Sequence, residues 1–213
     1  TFQRVSAENG EALKACDVVI EFTIPEAAPG VIRHCLELGI PVVSGTTGWH
    51  EYQLESILSF CKQRQGTFLY ATNFSIGMNV TFALNRKLAE AMAGLPQFHP
   101  SLKEIHHIHK KDSPSGTAFT LIEDILSFHP QYNGIELNGD IQNPATGKLP
   151  VTAIREGEVN GFHQVAWNSG MEQITLAHEA FDRKIFAEGA VMAASWLHQQ
   201  PRGIYTMKDI IRM

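Results

Sequence analysis

The segment from Glu104 to Ala118 carries the densest set of groups in this sequence that could do chemistry. Three histidines, two lysines and an aspartate lie between Glu104 and Asp112. Imidazole and ammonium groups can donate protons or bind carboxylates near neutral pH. The segment is therefore typical of a site that holds an anionic substrate and moves a proton.

A predicted helix start follows this cationic segment directly. Ser115-Gly116-Thr117 should open a helix, where backbone N–H groups, the helix dipole and two hydroxyls can face one anion. Gly116 would let a ligand approach the backbone closely. Together the two features suit a small substrate with more than one carboxylate.

Simpler interpretations of the same residues stay open at this point. Ser115 could be an ordinary N-cap, which is compatible with anion binding. His107 and His109, with Asp112, could ligate a metal, but no further ligand cluster accompanies them, so we expect no metal. Three histidines on a solvated loop are the remaining alternative. On a regular strand His106 and His107 point to opposite faces, so both reach one site only if the strand ends or bulges there.

The elements that must position these residues begin with an α/β pattern. Apolar runs predict buried strands at 17–22, 40–44 and 67–71. Helical spacing of apolar residues separates them, with Gly39 and Gly66 closing the two helices. Strand–helix–strand–helix–strand at this spacing predicts a parallel sheet with right-handed crossovers.

From about Val80 the pattern changes. We predict a helix from Val80, a strand at 102–106, a second helix from Ser115 and a long loop over 129–150. Three antiparallel strand patterns and a last helix follow, at 152–155, 162–167, 173–178 and 186–197. The predicted fold class is α/β plus α+β. An incomplete Rossmann-type dinucleotide-binding domain (1–75 and 184–213) joins a mixed or antiparallel-sheet domain for substrate and oligomer contacts (76–183).

Composition excludes several other classes. Among 213 residues the net charge is −5, and no Lys/Arg run predicts a nucleic-acid or polybasic membrane partner. No stretch approaches about 18 uninterrupted apolar residues, and the first residues lack a signal-peptide pattern. Cys16, Cys35 and Cys61 form no C-x-x-C pair, so we expect buried thiols in a reducing compartment. A cytoplasmic location is the expectation.

Residues 104–118 resemble the signature of the dihydrodipicolinate reductases, E-L/I-H-H-x-x-K-x-D-x-P-S-G-T-A, at every fixed position. Four further segments resemble the same family in the same order: Glu21–Ala27 (D/E-F-T-x-P-E-A), Gly45–Gly48 (G-T-T-G), Ala71–Asn79 (A-x-N-F-S-x-G-V-N) and Arg155–His163 (R-x-G-D/E-x-x-G-x-H). The match extends from about residue 17 to the end of the chain.

The resemblance implies roles for particular residues. It places the proton donor/acceptor on His106 and the catalytic lysine on Lys110. It also places a substrate contact on His107 and the substrate-binding pair on Gly116 and Thr117, beside Ser115. It also implies that two loops meet the nicotinamide of NADH or NADPH, namely Gly45, Thr46 and Thr47, and Ala71, Thr72, Asn73 and Phe74. These loops follow two predicted parallel strands, and open α/β sheets bind ligands at the carboxyl ends of their strands.

The implied reaction belongs to lysine and diaminopimelate biosynthesis. The 4-hydroxyl of 4-hydroxy-tetrahydrodipicolinate is lost, a hydride reaches C4 of the ring, and the adjacent carbon is protonated. Two alternatives remain: another two-domain nicotinamide enzyme acting on an amino-acid semialdehyde, or a catalytically incompetent fragment or paralogue. The resemblance also implies a homotetramer joined through 162–167 and 173–178, for which a solvated sheet face is the alternative.

One departure from the family concerns the cofactor. The family opens with a strand and a G-x-x-G-x-x-G turn that holds the pyrophosphate, and this sequence contains no such turn. Ala7–Glu11 does not replace it. We therefore expect the N-terminal βα unit to be missing and the 213-residue chain to bind cofactor poorly. The preference for NADH or NADPH is not readable from this sequence.

Overall fold

The computed structural model describes residues 13–140 and 145–211. These residues form two compact units. The first comprises 13–76 and 184–211, and the second comprises 77–140 and 145–183. The segment Ala7–Glu11, named above for the missing turn, lies outside the described residues.

The first unit contains a parallel four-stranded sheet. Its strands are β1 (Val19–Glu21), β2 (Val42–Ser44), β3 (Thr67–Tyr70) and β9 (Gly203–Tyr205), in the order β1-β2-β3-β9. The α/β prediction for this part of the chain is confirmed. Parallel strands put all their carboxyl ends at one edge, so the loops after β1, β2 and β3 emerge together.

Helices cover both faces of this sheet, which explains why its strands are continuous apolar runs. Helices α1 (Ala28–Glu37) and α2 (His50–Arg64) share a buried cluster with Val42 and Phe68. The neighbouring residues Val43 and Leu69 point to the other face, in a cluster with α5 (Lys184–Leu197) and α6 (Met207–Ile210). Successive strand residues alternate between faces, so each helix pair has its own core.

The ends of the first two helices agree with the sequence only in part. Gly39, after α1, has a φ of +73°, as a C′ glycine should. After α2 the left-handed residue is Gln65, with a φ of +50°, rather than Gly66. Gly66 has a packing role, because a Cβ there would lie 2.6 Å from a methyl carbon of Leu36. It permits close packing, and its N–H donates to the carbonyl oxygen of Cys61 at 2.9 Å, so Gly66 also closes the helix as expected.

Helix α5 passes very close to the loop that follows β3. A Cβ on Gly189 would lie 1.8 Å from the carbonyl oxygen of Phe74. Only glycine allows this approach, which fixes one of the loops expected to meet the cofactor.

We predict that Gly189→Ala lowers the free energy of unfolding by about 1–3 kcal/mol, because the loop or the helix must shift to admit the methyl group. Urea unfolding measures the change. Gly30→Ala is the matched control, since a Cβ there meets nothing within 4 Å. It should leave stability unchanged or raise it by up to about 1 kcal/mol through helix propensity. Equal effects of the two substitutions would contradict this account.

The second unit contains a mixed five-stranded sheet. Its strands are β4 (His99–His106), β5 (Ile135–Leu137), β6 (Leu149–Arg155), β7 (Phe162–Asn168) and β8 (Gln173–Glu179). The order is β5-β6-β4-β7-β8, with β5, β6 and β4 parallel and β7 and β8 antiparallel. A mixed-sheet α+β fold was predicted and is confirmed.

One face of this sheet carries the core of the second unit. Helices α3 (Ile76–Met92) and α4 (Gly116–Phe128) pack there with Leu102, Val165 and Trp167. Along β4 burial alternates strictly from Pro100 onward, so every second residue faces the helices.

Three sequence expectations fail in detail. Residues 129–150 are not one long loop, because β5 and the start of β6 lie within them. The strand predicted at 152–155 is parallel to β4, not part of an antiparallel set. The three residues of β5 form too short a run for a period-2 pattern to reveal. Cys35 and Cys61 are buried as expected, but Cys16 is exposed.

Within the described ranges, the structure has no helix that combines the length and the apolar character needed to cross a membrane.

Candidate active site

The chemistry-bearing segment begins at the carboxyl end of β4. Glu104 and His106 are two residues apart, so both side chains face the helix-covered side of the sheet. The strand ends at His106, which satisfies the condition that the sequence set for His107 to reach the same site. On the neighbouring strands, His163 lies directly across from Glu104, and Arg155 lies opposite His106.

Glu104 is the centre of this arrangement. Its side chain is 0% exposed, so bulk solvent does not reach the carboxylate. Oε1 accepts a hydrogen bond of 3.0 Å from the backbone N–H of Ser115 and one of 3.1 Å from Nη2 of Arg155. The same guanidinium group also donates to the carbonyl oxygen of Asp112. One buried carboxylate thus joins β4, β6 and the start of α4.

The other carboxylate oxygen of Glu104 faces two imidazoles. Oε2 lies 3.4 Å from Nδ1 of His106 and 3.6 Å from Nε2 of His163. The two rings meet edge to face with centroids 5.0 Å apart. Both histidines are buried, at 7% and 4% exposed.

The ionisation of Glu104 follows from these contacts. Burial favours the neutral acid, but the donors Ser115 and Arg155 at Oε1 and the imidazoles of His106 and His163 beside Oε2 outweigh it and hold the pKa of Glu104 well below its usual range. Glu104 is therefore a carboxylate throughout the working pH range.

Arg155 and His163 are site residues to which sequence reasoning assigned no role. Both lie in the motif Arg155–His163, but their pairing with Glu104 depends on strand register. The motif was the only signal in the sequence that could have found them.

Lys110 lies in the loop after β4. Its ammonium group is 2.8 Å from Oδ1 of Asp112, and this contact offsets burial and lowers the pKa of Asp112. The backbone N–H of Lys110 donates to the carbonyl oxygen of His107, which tightens the loop. The charge of Lys110 also reaches His163, whose pKa it helps to lower. His109 is exposed beside Glu158, away from this cluster of contacts.

The helix start has the predicted form. Ser115 is the N-cap of α4, and its hydroxyl accepts the N–H of Ala118 at 3.1 Å. The same hydroxyl lies 3.2 Å from Nε2 of His163. A Cβ on Gly116 would meet nothing within 4 Å, so the space before the first turn is open to a ligand. Thr117, the other residue expected to bind substrate, is the second residue of the helix.

The structure gathers a different set of possible metal ligands from the one that the sequence suggested. Within the described ranges, the only group of three or more convergent ligands is Glu104, His106 and His163, with atoms within 4.8 Å of one another. His107, His109 and Asp112 do not form such a group. Arg155 already neutralises Glu104, so a cation is not needed to balance the carboxylate.

Burial of His163 makes stability depend on pH. Burial lowers its pKa, helped by the charges of His106 and Lys110 and opposed by Glu104. In the unfolded chain the pKa returns to about 6.5. Below that pH the unfolded state binds the proton first, so stability is lost as pH falls from about 6.5.

We predict that the urea midpoint of the wild type is lower at pH 5.5 than at pH 7.5, at one protein concentration. His163→Gln should reduce this difference, because it removes one of the groups responsible. His109→Gln, at an exposed position, is the control and should keep the full difference. An unchanged pH difference in His163→Gln would contradict the assignment.

The loops of the first unit form a second polar cluster, again around a buried glutamate. Glu21, at the end of β1, accepts hydrogen bonds from the Thr23 N–H and the hydroxyls of Thr23, Ser44 and Thr46, at 2.5 to 2.7 Å. The Gly45 N–H donates to the carbonyl of Glu21 at 3.0 Å. This network fixes the loop that contains Gly45, Thr46 and Thr47.

The loop after β3 contains the other residues expected to meet the cofactor. The Ala71 N–H donates to the carbonyl of Ser44, and Asn73 Oδ1 accepts the Ser75 N–H at 2.9 Å. Phe74 is buried in the core with α5, so its ring is not available to a ligand and only its backbone could contact one. Thr72 is exposed.

The chemistry of these loops would allow them to hold the nicotinamide end of a dinucleotide. Phe22 and Ile24 expose apolar surface at 53% and 59%, and the exposed hydroxyls of Thr47 and Thr72 belong to the neighbouring loops. Such a surface suits a flat ring with a polar amide, at the sheet edge where such ligands bind.

A parallel-sheet unit with ligand loops at its strand ends, joined to a mixed-sheet unit with a cationic site, defines a two-domain, dinucleotide-dependent oxidoreductase. Family models narrow this class. The model described as dihydrodipicolinate reductase, N-terminus, matches residues 3–74, and the model described as dihydrodipicolinate reductase, C-terminus, matches residues 77–211. The chain belongs to the dihydrodipicolinate reductase family, as its motifs predicted.

Individual proteins that are similar to this chain support the same family assignment. The chain is 43% identical over 195 residues to a 4-hydroxy-tetrahydrodipicolinate reductase of Christiangramia forsetii, covering 92% of this chain and 79% of the relative. It is 36% identical to one from Sulfurimonas denitrificans, covering 98% and 82%. The fold is similar to that of the dipicolinate-bound dihydrodipicolinate reductase from Paenisporosarcina sp. TG-14. The TM-score there is 0.74 at 22% identity, over 97% of this chain and 78% of that one.

The expected loss of the N-terminal βα unit is not confirmed by these matches. The N-terminal family model begins its match at residue 3, so the family's first domain is represented in this chain.

Proposed function

We propose that this protein reduces 4-hydroxy-tetrahydrodipicolinate to tetrahydrodipicolinate with NADH or NADPH, as an enzyme of lysine and diaminopimelate biosynthesis. The observation that carries the proposal is the meeting of His106 with the open first turn of α4, through Glu104. A proton donor and an anion-binding helix start lie together only because this carboxylate joins them.

The positive groups around the start of α4 would bind the substrate. The first-turn N–H groups at Gly116 and Thr117 would hold one ring carboxylate, beside Ser115, whose own N–H donates to Glu104. Lys110 and His107, on the loop after β4, would balance the second. Lys110 would leave Asp112 for the substrate, since this pair is partly exposed and contributes little by itself.

The cofactor, when bound, supplies the hydride that reaches C4 of the ring. The chain's own task is then to deliver a proton to the adjacent carbon. His106 suits this task because imidazole is the side chain that most often gives or takes a proton in enzymes. Lys110 stabilises the negative charge that develops on the substrate before the proton arrives.

A catalytically incompetent fragment or paralogue is the second candidate. It predicts degraded site residues, whereas all the signature residues from Glu104 to Ala118 are present. Their contacts with Arg155 and His163 also form a connected network. The reductase is therefore the better interpretation.

We predict that His106→Ala and Lys110→Ala each lower kcat by about 10²-fold or more, the usual loss of a general acid or of transition-state charge stabilisation. Loss of nicotinamide absorbance with freshly prepared substrate measures turnover. His109→Ala and Lys111→Ala are matched controls, since both are exposed neighbours. Near-normal kcat in both test variants would refute the assigned roles.

The division of labour between the units is part of the proposal. Residues 1–75 with 184–213 would bind the dinucleotide through Gly45, Thr46, Thr47 and the 71–74 loop, and 76–183 would bind the substrate. Comparing kcat/KM for NADH and NADPH in the assay above would establish the cofactor preference. The cytoplasmic location stays a prediction.

A homotetramer built through the second unit is also proposed. The sheet face opposite the core holds an apolar row of Ile105, Ile154 and Phe162, which are neighbours on β4, β6 and β7. Strand β8 is exposed along most of its length, at the edge of the sheet. A half-buried apolar row beside an exposed edge strand is typical of a sheet that pairs with another copy.

We predict that the wild type has the mass of four chains by light scattering and that Phe162→Asp reduces it, because a buried carboxylate in an interface is unpaired. Tyr52→Asp is the control, because Tyr52 is exposed in the other unit and should leave the mass unchanged. A single-chain mass for the wild type, or an unchanged mass in Phe162→Asp, would exclude this interface.

A further inference from the structure

Glu104 has no role in the chemistry described above, although it is the most connected side chain of the site. Its Oε1 has two donors, the Ser115 N–H and Nη2 of Arg155. Its Oε2 has no hydrogen bond of good geometry to any residue in the described parts of the chain. A buried carboxylate oxygen without a donor is unfavourable by about 1–3 kcal/mol or more, so a donor is expected at Oε2.

Two ring nitrogens are close enough to supply that donor. Nδ1 of His106 is 3.4 Å away, and Nε2 of His163 is 3.6 Å away. The Ser115 hydroxyl distinguishes them. It accepts the Ala118 N–H with one lone pair, and its own proton can donate to Nε2 of His163, 3.2 Å away. In that arrangement Nε2 is an acceptor and cannot also donate to Glu104.

The pKa of His163 agrees with this assignment. Burial, the largest cause, lowers it, and the charge of His106 lowers it further. His163 is therefore a neutral ring at neutral pH, which leaves Nδ1 of His106 as the donor to Oε2.

We propose that Glu104 is a positioning residue that orients His106 through Nδ1–H and stabilises its protonated form, with His163 as the neutral ring that closes the cluster. This inference rests on the proposed function, because it assigns Glu104 a task only if His106 delivers a proton. It makes the site a carboxylate–imidazole pair in which the carboxylate never takes the proton itself.

The second nitrogen of His106 is then the one that exchanges the proton. A Cβ on Gly161 would lie 3.3 Å from Nε2 of His106, so the missing side chain keeps that side of the ring uncovered. Gly161 also has a φ of +153°, which L side chains rarely adopt. Nε2 gives its proton to the substrate carbon, the ring becomes neutral, and solvent restores the proton before the next turnover.

The charged groups around His106 set the expected pH behaviour. Glu104 favours the imidazolium, whereas the positive groups oppose it. Those that face the cluster are Arg155 from β6, Lys110 from the β4 loop, and His163 and His178 when protonated; Asp112 offsets Lys110. Removing only the negative charge of Glu104 should therefore shift the pH profile of activity in one direction, towards lower pH.

Glu104→Gln is the direct test. We expect kcat to fall by about 10²-fold, because the ring loses its orienting partner. The high-pH limb of the kcat/KM profile should move to lower pH by about one unit, because the imidazolium loses a nearby negative charge. A merely structural role would lower kcat without moving that limb. Glu158→Gln is the matched control. It also removes a carboxylate that lies 3.5 Å from a histidine, but Glu158 and His109 are both exposed.

A measurement on the wild type keeps the test valid if Glu104→Gln does not fold. ¹⁵N NMR of labelled imidazoles, assigned with His106→Asn, should show His106 protonated at Nδ1 when neutral. A neutral ring protonated at Nε2, or an unmoved pH limb in a folded Glu104→Gln, would overturn the proposal. Loss of activity in EDTA with recovery on adding Zn²⁺ would also overturn it, because the cluster would then hold a metal.

The two proposals fail in different ways. A wild type without turnover but with the Nδ1–H tautomer would leave the orientation of His106 intact and reject the reductase function. A wild type that turns over, with Glu104→Gln equal to it in kcat and pH profile, would reject only the role of Glu104.

Discussion

The ionised carboxylate of Glu104, buried out of reach of bulk solvent, is the constraint on which the site depends. A charge in that position is tolerated only if donors surround it. The donors come from a neighbouring strand, through Arg155, and from the first residue before α4, through the Ser115 N–H. Because the carboxylate requires these partners, it fixes the end of β4 against the first turn of α4. The residue proposed to give the proton and the turn proposed to bind the substrate carboxylate are thereby held together.

The first unit also has a buried glutamate that holds a loop in place, but its hydrogen-bond partners are neutral. Glu21 gathers the hydroxyls of Ser44, Thr46 and Thr23 at the ends of two parallel strands. Neutral hydroxyls replace the guanidinium and imidazoles of the second unit, so this carboxylate fixes a loop without offering protons. Each half of the protein thus has one buried glutamate at a strand end, and each orders the loop that is proposed to meet a ligand.

Much of the fold could be predicted from the sequence, because the local residue pattern of most strands and helices indicates the element that forms there. The parallel sheet followed from three apolar runs separated by helical spacing, and Ser115 was predicted as the start of α4 from its capping chemistry alone. The failures share a cause. The direction of β6 and the existence of β5 depend on which strands pair, and pairing partners are distant in the chain. The close packing of Gly66 against Leu36 was not predicted, because a local pattern does not contain that contact.

The sequence by itself determined the family and the fold class, and it singled out the segment that is proposed to move a proton, because residue types in fixed spacing specify chemistry. Only the tertiary structure shows that Arg155 and His163 contact Glu104 and that the side chain of Phe74 is buried. It also placed the convergent ligand set at Glu104, His106 and His163 and not at the neighbouring histidines. The physical reason is that orientation, burial and charge compensation arise from contacts between strands, which the linear order of residues does not encode.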